Sequence, residues 1–172
     1  PTEEKSEDMF GHAGPASPGW DLAHVMPSIA QRAARWIDER EEDVPFFLYV
    51  PLNAPHTPIA PSPAFVGKSG AGAYGDWVHQ VDWTLGVILD ALDRRGFAED
   101  TLVVFTSDNG SPARDGTGMS GPVGSVRERF DHHPSGPWRG MKSDVWEGGH
   151  RVPFVLRWPG ETPAGGETDR PL

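Results

Sequence analysis

Two segments of the chain repeat apolar residues with the period of an α-helix. The first begins near Pro27, and its apolar face consists of Ile29, Ala33, Trp36 and Ile37. The second runs from about Gly75 to Arg95, and its apolar face consists of Val78, Val81, Leu85, Ile88, Leu89 and Leu92. Gly96 follows directly, and glycine commonly ends a helix. The pattern therefore predicts two amphipathic helices.

Three short apolar runs predict β-strands. They lie at 46–50, 101–106 and 152–158. The first two contain continuous apolar and aromatic residues without alternation, which is typical of strands buried on both faces in a parallel sheet. Because these runs alternate with the two helices, the sequence predicts an α/β fold with a mainly parallel sheet.

The loops beyond the predicted strands carry most of the candidate chemistry. In parallel α/β sheets, ligands bind beyond the carboxyl ends of the strands. The segment 51–72 contains five prolines and is predicted to be a loop. The segment 110–140 is rich in Gly and Pro, and long loops of this kind are usually functional. The polar segments 53–58, 107–110 and 140–153 are therefore the places to look for a site.

Asp108 and Asn109 follow the second predicted strand directly. A carboxylate and an amide oxygen at adjacent positions are ligands that Ca²⁺ and Mg²⁺ accept. Asp-Asn-Gly is also a common turn sequence, so the tripeptide by itself leaves both interpretations open.

His56 and Lys142 are the other candidate site residues. His56 lies in a proline-rich segment, where it can protonate a leaving group or simply hydrogen-bond to the backbone. Lys142 can hold an anion or be merely solvated. Trp138 and Trp146 lie in or just beyond the long loop, where they can line a pocket or serve packing.

Composition and charge exclude several classes of function. The chain has 172 residues, a net charge of −10 and no cysteine. An acidic field repels nucleic-acid backbones and anionic lipids. Without cysteine the chain forms no disulfide, thiolate metal site or Cys nucleophile. No apolar run approaches the length of a membrane-spanning helix.

Taken together, these segments resemble the sulfatase family of the alkaline-phosphatase-like superfamily, in its arylsulfatase A-like branch. The resemblance covers residues 27–160 approximately, and this stretch looks like the second half of the catalytic domain. It implies that residues 1–172 lack the nucleophile-bearing N-terminal half and the C-terminal subdomain. The matching stretches, in order, are Pro45–Val50 leading to Ala54-Pro55-His56, Val81–Gly86 with Leu89 and Leu92, Thr101–Gly110, Arg139–Lys142, and Glu147–Pro153.

The resemblance implies a fold and a role for each candidate residue. The fold is part of a three-layer αβα sandwich. Asp108 and Asn109 match two family ligands of a divalent cation, Ca²⁺ or alternatively Mg²⁺. His56 matches the histidine that contacts the sulfate ester and protonates the leaving oxygen. Lys142 matches the lysine that binds the sulfate oxygens. The parent enzyme would hydrolyse sulfate esters through a formylglycine nucleophile.

Several family features are missing from the chain. It has neither the Cys-x-Pro-Ser-Arg precursor of formylglycine nor the paired aspartates of the metal site. Ser135-Gly136-Pro137-Trp138-Arg139 matches the nucleophile motif loosely, next to the lysine motif where the family does not place it. We therefore expect residues 1–172 by themselves to be inactive. The alternatives are a phosphonate or phosphodiester hydrolase of the same superfamily, and a non-catalytic oxyanion- or Ca²⁺-binding module.

The expected partner is a small sulfate ester or a sulfated glycan. The resemblance implies an extracytoplasmic parent, periplasmic or secreted. The sequence specifies neither which ester is bound nor the oligomeric state.

Overall fold

The computed structural model describes residues 17–168, whose helices and strands surround two small apolar cores. In chain order the elements are α1 (Val25–Asp38), α2 (Gly72–Arg94), β1 (Val103–Thr106), α3 (Ser125–Phe130), α4 (Glu147–His150) and β2 (Phe154–Arg157). The antiparallel pair β1 and β2 is the sheet of this part of the chain.

The two predicted amphipathic helices are confirmed as α1 and α2. Helix α1 begins two residues before Pro27. Proline is tolerated in the first turn of a helix, because the backbone N–H that it lacks has no partner within the helix there. Helix α2 ends before Gly96, whose φ of 71° is readily available only to glycine. The Phe97 N–H then donates to the Leu92 carbonyl at 2.9 Å and closes the helix end.

The helices bury their apolar faces in two clusters. One surrounds the fully buried Trp77, with Met26 and Val126. The other joins the end of α1 to the end of α2 through Ile37 and Leu92. Burying an aliphatic or aromatic side chain contributes about 1.5–3 kcal/mol, so these residues stabilise the pairing of the two helices.

The run 46–50 differs from its prediction as a strand buried on both faces. It forms no regular secondary structure, and no strand within residues 17–168 pairs with it. Phe46 and Leu48 pack on the cluster around Ile37, whereas Phe47 is 88% exposed and Tyr49 is 74% exposed. The continuous apolar run therefore has one face on the core and one face uncovered in the described part of the chain.

Strands β1 and β2 lie inside the two other predicted runs, and their pairing is antiparallel. Val103 pairs with Arg157, and Thr106 pairs with Phe154. Between residues 17 and 168 the α/β character is thus present, while the expected mainly parallel sheet stays unconfirmed. Strand β1 also alternates in exposure, so the expectation of burial on both faces fails here too.

The long loop at 110–140 is ordered around short helical pieces. It contains a 3₁₀ turn at Thr117–Met119 and helix α3, which supplies Val126 to the core. The segment 51–72 has neither helix nor strand before α2, as predicted. Among the helices described, none combines the length and apolar character needed to cross a membrane.

Candidate functional site

His56 lies on a tight loop that a buried tryptophan anchors. The His56 N–H donates to the Asn53 carbonyl at 3.1 Å, and the Nε1–H of Trp77 on α2 donates to the His56 carbonyl at 3.2 Å. Nδ1 of the ring lies 2.6 Å from the Thr57 carbonyl. Because a carbonyl can only accept, Nδ1 carries the proton in this contact. The loop therefore fixes the ring position, with the Nδ1 proton directed at the Thr57 carbonyl.

Asp108 and Asn109 directly follow β1. Asp108 is exposed and Asn109 is partly buried. Ser107 Oγ donates to the Asn109 carbonyl at 3.1 Å, and Asn109 Nδ2 donates to the Gly110 carbonyl at 3.2 Å. These contacts hold the turn and use the amide nitrogen of Asn109 rather than its side-chain oxygen. The turn interpretation and the metal interpretation are thus compatible.

The segment carrying Lys142 docks on the loop that follows β1. The Gly110 N–H donates to the Gly149 carbonyl at 2.9 Å, and the Lys142 N–H donates to the Ser111 carbonyl at 3.3 Å. A Cβ on Gly110 would lie 1.9 Å from the Gly148 oxygen, so only glycine permits this approach. Two backbone hydrogen bonds therefore bring the Lys142 segment to the residues beside Asn109.

The same segment is braced internally. The Gly148 N–H donates to the Arg139 carbonyl at 2.8 Å, and Asp144 Oδ2 accepts from the Met141 N–H at 3.0 Å. A Cβ on Gly148 would lie 2.2 Å from the Gly140 oxygen. Lys142, which is partly buried, thus sits in a turn whose shape depends on closely packed glycines.

The His56 loop joins the other candidate residues through the core. Ala54, two residues before His56, belongs to the same buried cluster as Ala113, and Phe105 of β1 packs against that cluster. Backbone hydrogen bonds thus link the loop of Asn109 to the segment of Lys142. The loop of His56 is linked to them through shared packing in the core.

The residues present fit part of a site for a hard cation. Asp108 offers a carboxylate and Asn109 an amide oxygen, which are ligands of the type that Ca²⁺ takes. Among residues 17–168, no group of three or more His, Cys, Asp or Glu side chains is arranged to hold a metal. The described part therefore offers two oxygen-bearing side chains of the type that a hard cation takes, and no complete metal centre.

An ion pair within the long loop, between the buried carboxylate of Asp115 and the exposed side chain of Arg129, was missed by sequence reasoning. The Asp115 side chain is 1% exposed, and its Oδ2 accepts from Arg129 Nη1 at 2.6 Å. Oδ1 accepts from the Thr117 N–H at 2.9 Å. Burial would raise the pKa of Asp115, but the hydrogen bonds from Thr117 and Arg129 outweigh it and lower this pKa to about 2. The sequence Asp-Gly-Thr is typical of a turn. No local sequence pattern indicates that the arginine 14 residues further along the chain pairs with this aspartate.

Ser135 and the two tryptophans of the 138–146 segment have defined places. Ser135 Oγ lies 3.4 Å from the Gly148 carbonyl and donates to it. Trp138 lines a shallow surface depression, together with Ser135 and Met141. Trp146 is not among the lining residues of that depression, and it stacks under Arg139 instead.

Comparisons with known proteins find sulfatases among the relatives of this chain. The chain is 39% identical over 141 residues to an N-acetylgalactosamine-6-O-sulfatase of Bacteroides thetaiotaomicron, covering 81% of the chain and 26% of that protein. It is 42% identical over 151 residues to a steryl-sulfatase of Rattus norvegicus, covering 88% of the chain and 25% of that protein. The chain thus spans about a quarter of the length of these relatives.

Solved structures show the same likeness. The fold matches a 6S-sulfatase structure from work on glycosaminoglycan metabolism by Bacteroides thetaiotaomicron, with a TM-score of 0.70 and 33% identity, over 86% of the chain and 30% of the other. It also matches Ps i-CgsB in complex with k-i-k-neocarrahexaose, with a TM-score of 0.68 and 26% identity, over 90% of the chain and 31% of the other. The sulfatase family model matches residues 23–172, and the chain therefore belongs to the sulfatase family.

Proposed function

We propose that the protein containing this chain hydrolyses sulfate esters, with His56, Asp108, Asn109 and Lys142 contributing to one active site. The observation that carries the proposal is the docking of the Lys142 segment on the loop after β1, through the Gly110–Gly149 and Ser111–Lys142 hydrogen bonds. Membership of the sulfatase family supports the same reaction.

Each residue has a role that its chemistry supports. When the S–O bond of the ester breaks, the leaving oxygen gains negative charge and requires a proton. His56 supplies it from Nε2, which requires the doubly protonated ring because Nδ1–H remains on the Thr57 carbonyl. Lys142 binds the sulfate oxygens as a point charge and stabilises the charge that develops on them.

Asp108 and Asn109 would hold a divalent cation, for which we propose Ca²⁺. Their oxygens match its ligand preference, and the Asn109 side chain keeps its oxygen for this purpose because Nδ2 makes the hydrogen bond to Gly110. The bound cation would supply positive charge next to the sulfate group.

The nucleophile would be supplied from outside residues 1–172. The chain contains no cysteine from which formylglycine could be made, and Ser135 donates its hydroxyl to the Gly148 carbonyl. We place the chain in the second half of the catalytic domain. In the whole domain we expect a three-layer αβα sandwich with a mainly parallel sheet, in which β1 acquires further neighbours.

The substrate is a sulfate ester of a small molecule or of a glycan. The relatives include enzymes named for both kinds, an N-acetylgalactosamine-6-O-sulfatase and a steryl-sulfatase. The extracytoplasmic location implied by the family resemblance stays a prediction.

The test compares 4-nitrophenyl sulfate with the phosphodiester bis(4-nitrophenyl) phosphate as substrates of the full-length gene product, before and after removal of divalent cations. We expect cation-dependent release of sulfate, with Asp108→Asn slowing turnover at least about 100-fold at saturating substrate, because charge stabilisation at the reacting group is commonly a large term. Faster hydrolysis of the phosphodiester would indicate the phosphonate or phosphodiester hydrolase. Binding of Ca²⁺ without turnover of either ester would indicate the non-catalytic module.

A further inference from the structure

The first turns of α2 carry two buried aromatic side chains that reach both arms of the candidate site. Tyr74 and Trp77 lie three residues apart, so they share one face of the helix. The Trp77 Nε1–H donates to the His56 carbonyl at 3.2 Å. The Tyr74 hydroxyl hydrogen-bonds to the side chain of Ser111, whose carbonyl accepts from the Lys142 N–H at 3.3 Å. One helical face therefore contacts the loop of His56 and the loop on which the Lys142 segment docks.

Tyr74 approaches the loop after β1 from inside the core. It is 7% exposed and belongs to the same buried cluster as Ala54 and Ala113. Burial raises the pKa of Tyr74, and the hydrogen bond with Ser111 offsets only part of this shift, so the hydroxyl is protonated at neutral pH. Ser111 Oγ also accepts from the Ala113 N–H at 3.0 Å. Because a buried hydroxyl without a partner is costly, these contacts favour one position of the loop.

The start of α2 is itself held by its neighbours. Asp76, which is 4% exposed, accepts from the Gly67 and Ser69 N–H groups, each at 2.8 Å. A Cβ on Gly72 would collide with the ring of Phe130, so the first turn packs directly on α3. These contacts fix the helix start relative to the preceding loop and to α3, and with it the two aromatic side chains.

We propose that Tyr74 and Trp77 are positioning residues that set the locations of Lys142 and His56 relative to each other. The inference rests on the proposed function and adds two residues that lie behind the reacting groups. Tyr74 acts on Lys142 through Ser111, and Trp77 acts on His56 through its backbone carbonyl. An acid and a cation serve the same sulfate group only when their spacing matches it, and a displacement of about 1 Å can cost about 100-fold in rate.

A leaving-group series of sulfate esters, measured on the full-length gene product, tests the two roles separately. Tyr74→Phe removes only a hydroxyl and should lower kcat about tenfold for every ester, because it acts through Lys142 on the shared sulfate group. Trp77→Phe removes the indole N–H and should lower kcat more for alkyl sulfates than for 4-nitrophenyl sulfate, because it acts through His56. The same dependence on the leaving group in both variants would overturn the proposal.

The Tyr74 role is also testable without Trp77→Phe, which shrinks a core side chain and can impair folding. If Tyr74 acts through Ser111, the double variant Tyr74→Phe/Ser111→Ala should turn over no more slowly than the slower of the two single variants. Losses that multiply in the double variant would contradict this route to Lys142.

Thr84→Val is the matched control. Thr84 is a fully buried residue of α2, and its hydroxyl donates to the Gln80 carbonyl at 2.8 Å, within the same helix. Its loss removes a buried hydroxyl without touching the site loops, so kcat should change less than about twofold. A tenfold loss in Thr84→Val as well as in Tyr74→Phe would assign both effects to general packing of α2 and overturn the proposal.

Amide hydrogen exchange separates this inference from the proposed function. In Tyr74→Phe the Lys142 amide should exchange at least about fivefold faster than in the wild type, and in Thr84→Val its exchange should be unchanged. Unaltered exchange in Tyr74→Phe would contradict the positioning role, whether or not sulfate esters are hydrolysed. Faster exchange in a protein whose wild type hydrolyses no sulfate ester would support the contact and contradict the proposed function.

Discussion

Asp115 is a buried residue of the long loop, and its hydrogen bonds favour the ionised carboxylate. Its nearly inaccessible carboxylate is neutralised by Arg129 and accepts two hydrogen bonds from Thr117. A Cβ on Gly121 would lie 2.0 Å from Asp115 Oδ1, so the chain closes tightly around the carboxylate. The ion pair therefore ties α3 to the preceding turn and gives the 110–140 loop a defined shape.

We predict that Asp115→Asn lowers the free energy of unfolding by about 1–3 kcal/mol, because an amide cannot accept from all of these donors and leaves Arg129 unpaired. Urea denaturation measures the loss. Asp38→Asn is the control, since Asp38 forms an exposed pair with Arg94 at 3.2 Å and should cost less than about 1 kcal/mol. Equal costs for the two variants would contradict a structural role for the buried pair.

The same carboxylate predicts a pH dependence. Its pKa lies at about 2 in the folded chain, below the ordinary value of 3.8. The stabilisation of about 2 kcal/mol is therefore complete above pH 3.8 and is lost as the pH falls through 2. Unfolding curves between pH 5 and 2 should show a steeper loss of stability for the wild type than for Asp115→Asn. Parallel curves would contradict the assigned ionisation.

His56 and Lys142 should respond differently to the leaving group of the substrate. In the full-length gene product, His56→Ala should reduce kcat more for alkyl sulfates than for 4-nitrophenyl sulfate, because a good leaving group needs little protonation. Lys142→Ala should reduce the rates for all sulfate esters by similar factors, since it acts on the shared sulfate group. A leaving-group series measures both. Equal losses across the series for His56→Ala would assign it to binding or structure.

At the scale of elements, the proposed site depends on a close glycine contact between the β1 loop and the Lys142 segment. We predict that Gly110→Ala displaces this segment, since a Cβ there would lie 1.9 Å from the Gly148 oxygen, and that turnover by the full-length gene product falls at least about tenfold. Gly86→Ala on α2 is the control, because its Cβ would meet nothing within 4 Å. Full activity of Gly110→Ala would show that the docking is not needed.

The sequence predicted helices better than strand burial, for a physical reason. The period of α1 and α2 reports burial against local neighbours, and both helices formed within three residues of the predicted starts. Burial of a strand depends on neighbours that are distant in the chain. The run 46–50 has an apolar composition suited to two covered faces, yet Phe47 and Tyr49 face solvent here.

The candidate site was likewise predicted from local patterns, whereas the contacts between distant segments were not. Local patterns identified His56, Asp108, Asn109 and Lys142 as candidates, because each lies in a polar segment next to a predicted strand. The Gly110–Gly149 hydrogen bond and the Asp115–Arg129 pair depend on how distant segments approach, which periodicity does not report. Family resemblance supplied the order of the motifs, and the structure supplied the contacts that join them.

At the scale of the whole molecule, apolar side chains are uncovered on both faces of the β1–β2 pair and in the run 46–50. They are Phe47, Tyr49, Val104, Phe154, Val155 and Leu156, each at least 45% exposed. Large exposed apolar areas normally mark interfaces. Since the chain spans about a quarter of its relatives, we infer that other parts of the catalytic domain cover these side chains.

This inference predicts unequal effects of two exposed apolar residues. In the full-length gene product, Phe47→Ser should lower the free energy of unfolding by more than about 2 kcal/mol, because the ring would be buried there. Val66→Ser is the control, since Val66 is 63% exposed and lies in the loop before α2. Denaturant titration compares them. Losses below about 0.5 kcal/mol for both variants would show that Phe47 stays exposed in the full-length protein.

Hydrolysis of an aryl sulfate by residues 1–172, with and without a complementing polypeptide, tests the central claim most directly. The complement carries the Cys-x-Pro-Ser-Arg motif and is co-expressed with the formylglycine-generating enzyme. The purified chain should release no sulfate by itself, because it has no formylglycine precursor and offers two metal ligands. The complemented chain should show cation-dependent turnover that Asp108→Asn abolishes. Metal-dependent turnover by the purified chain itself, lost in Ser135→Ala, would contradict the account and make Ser135 the nucleophile.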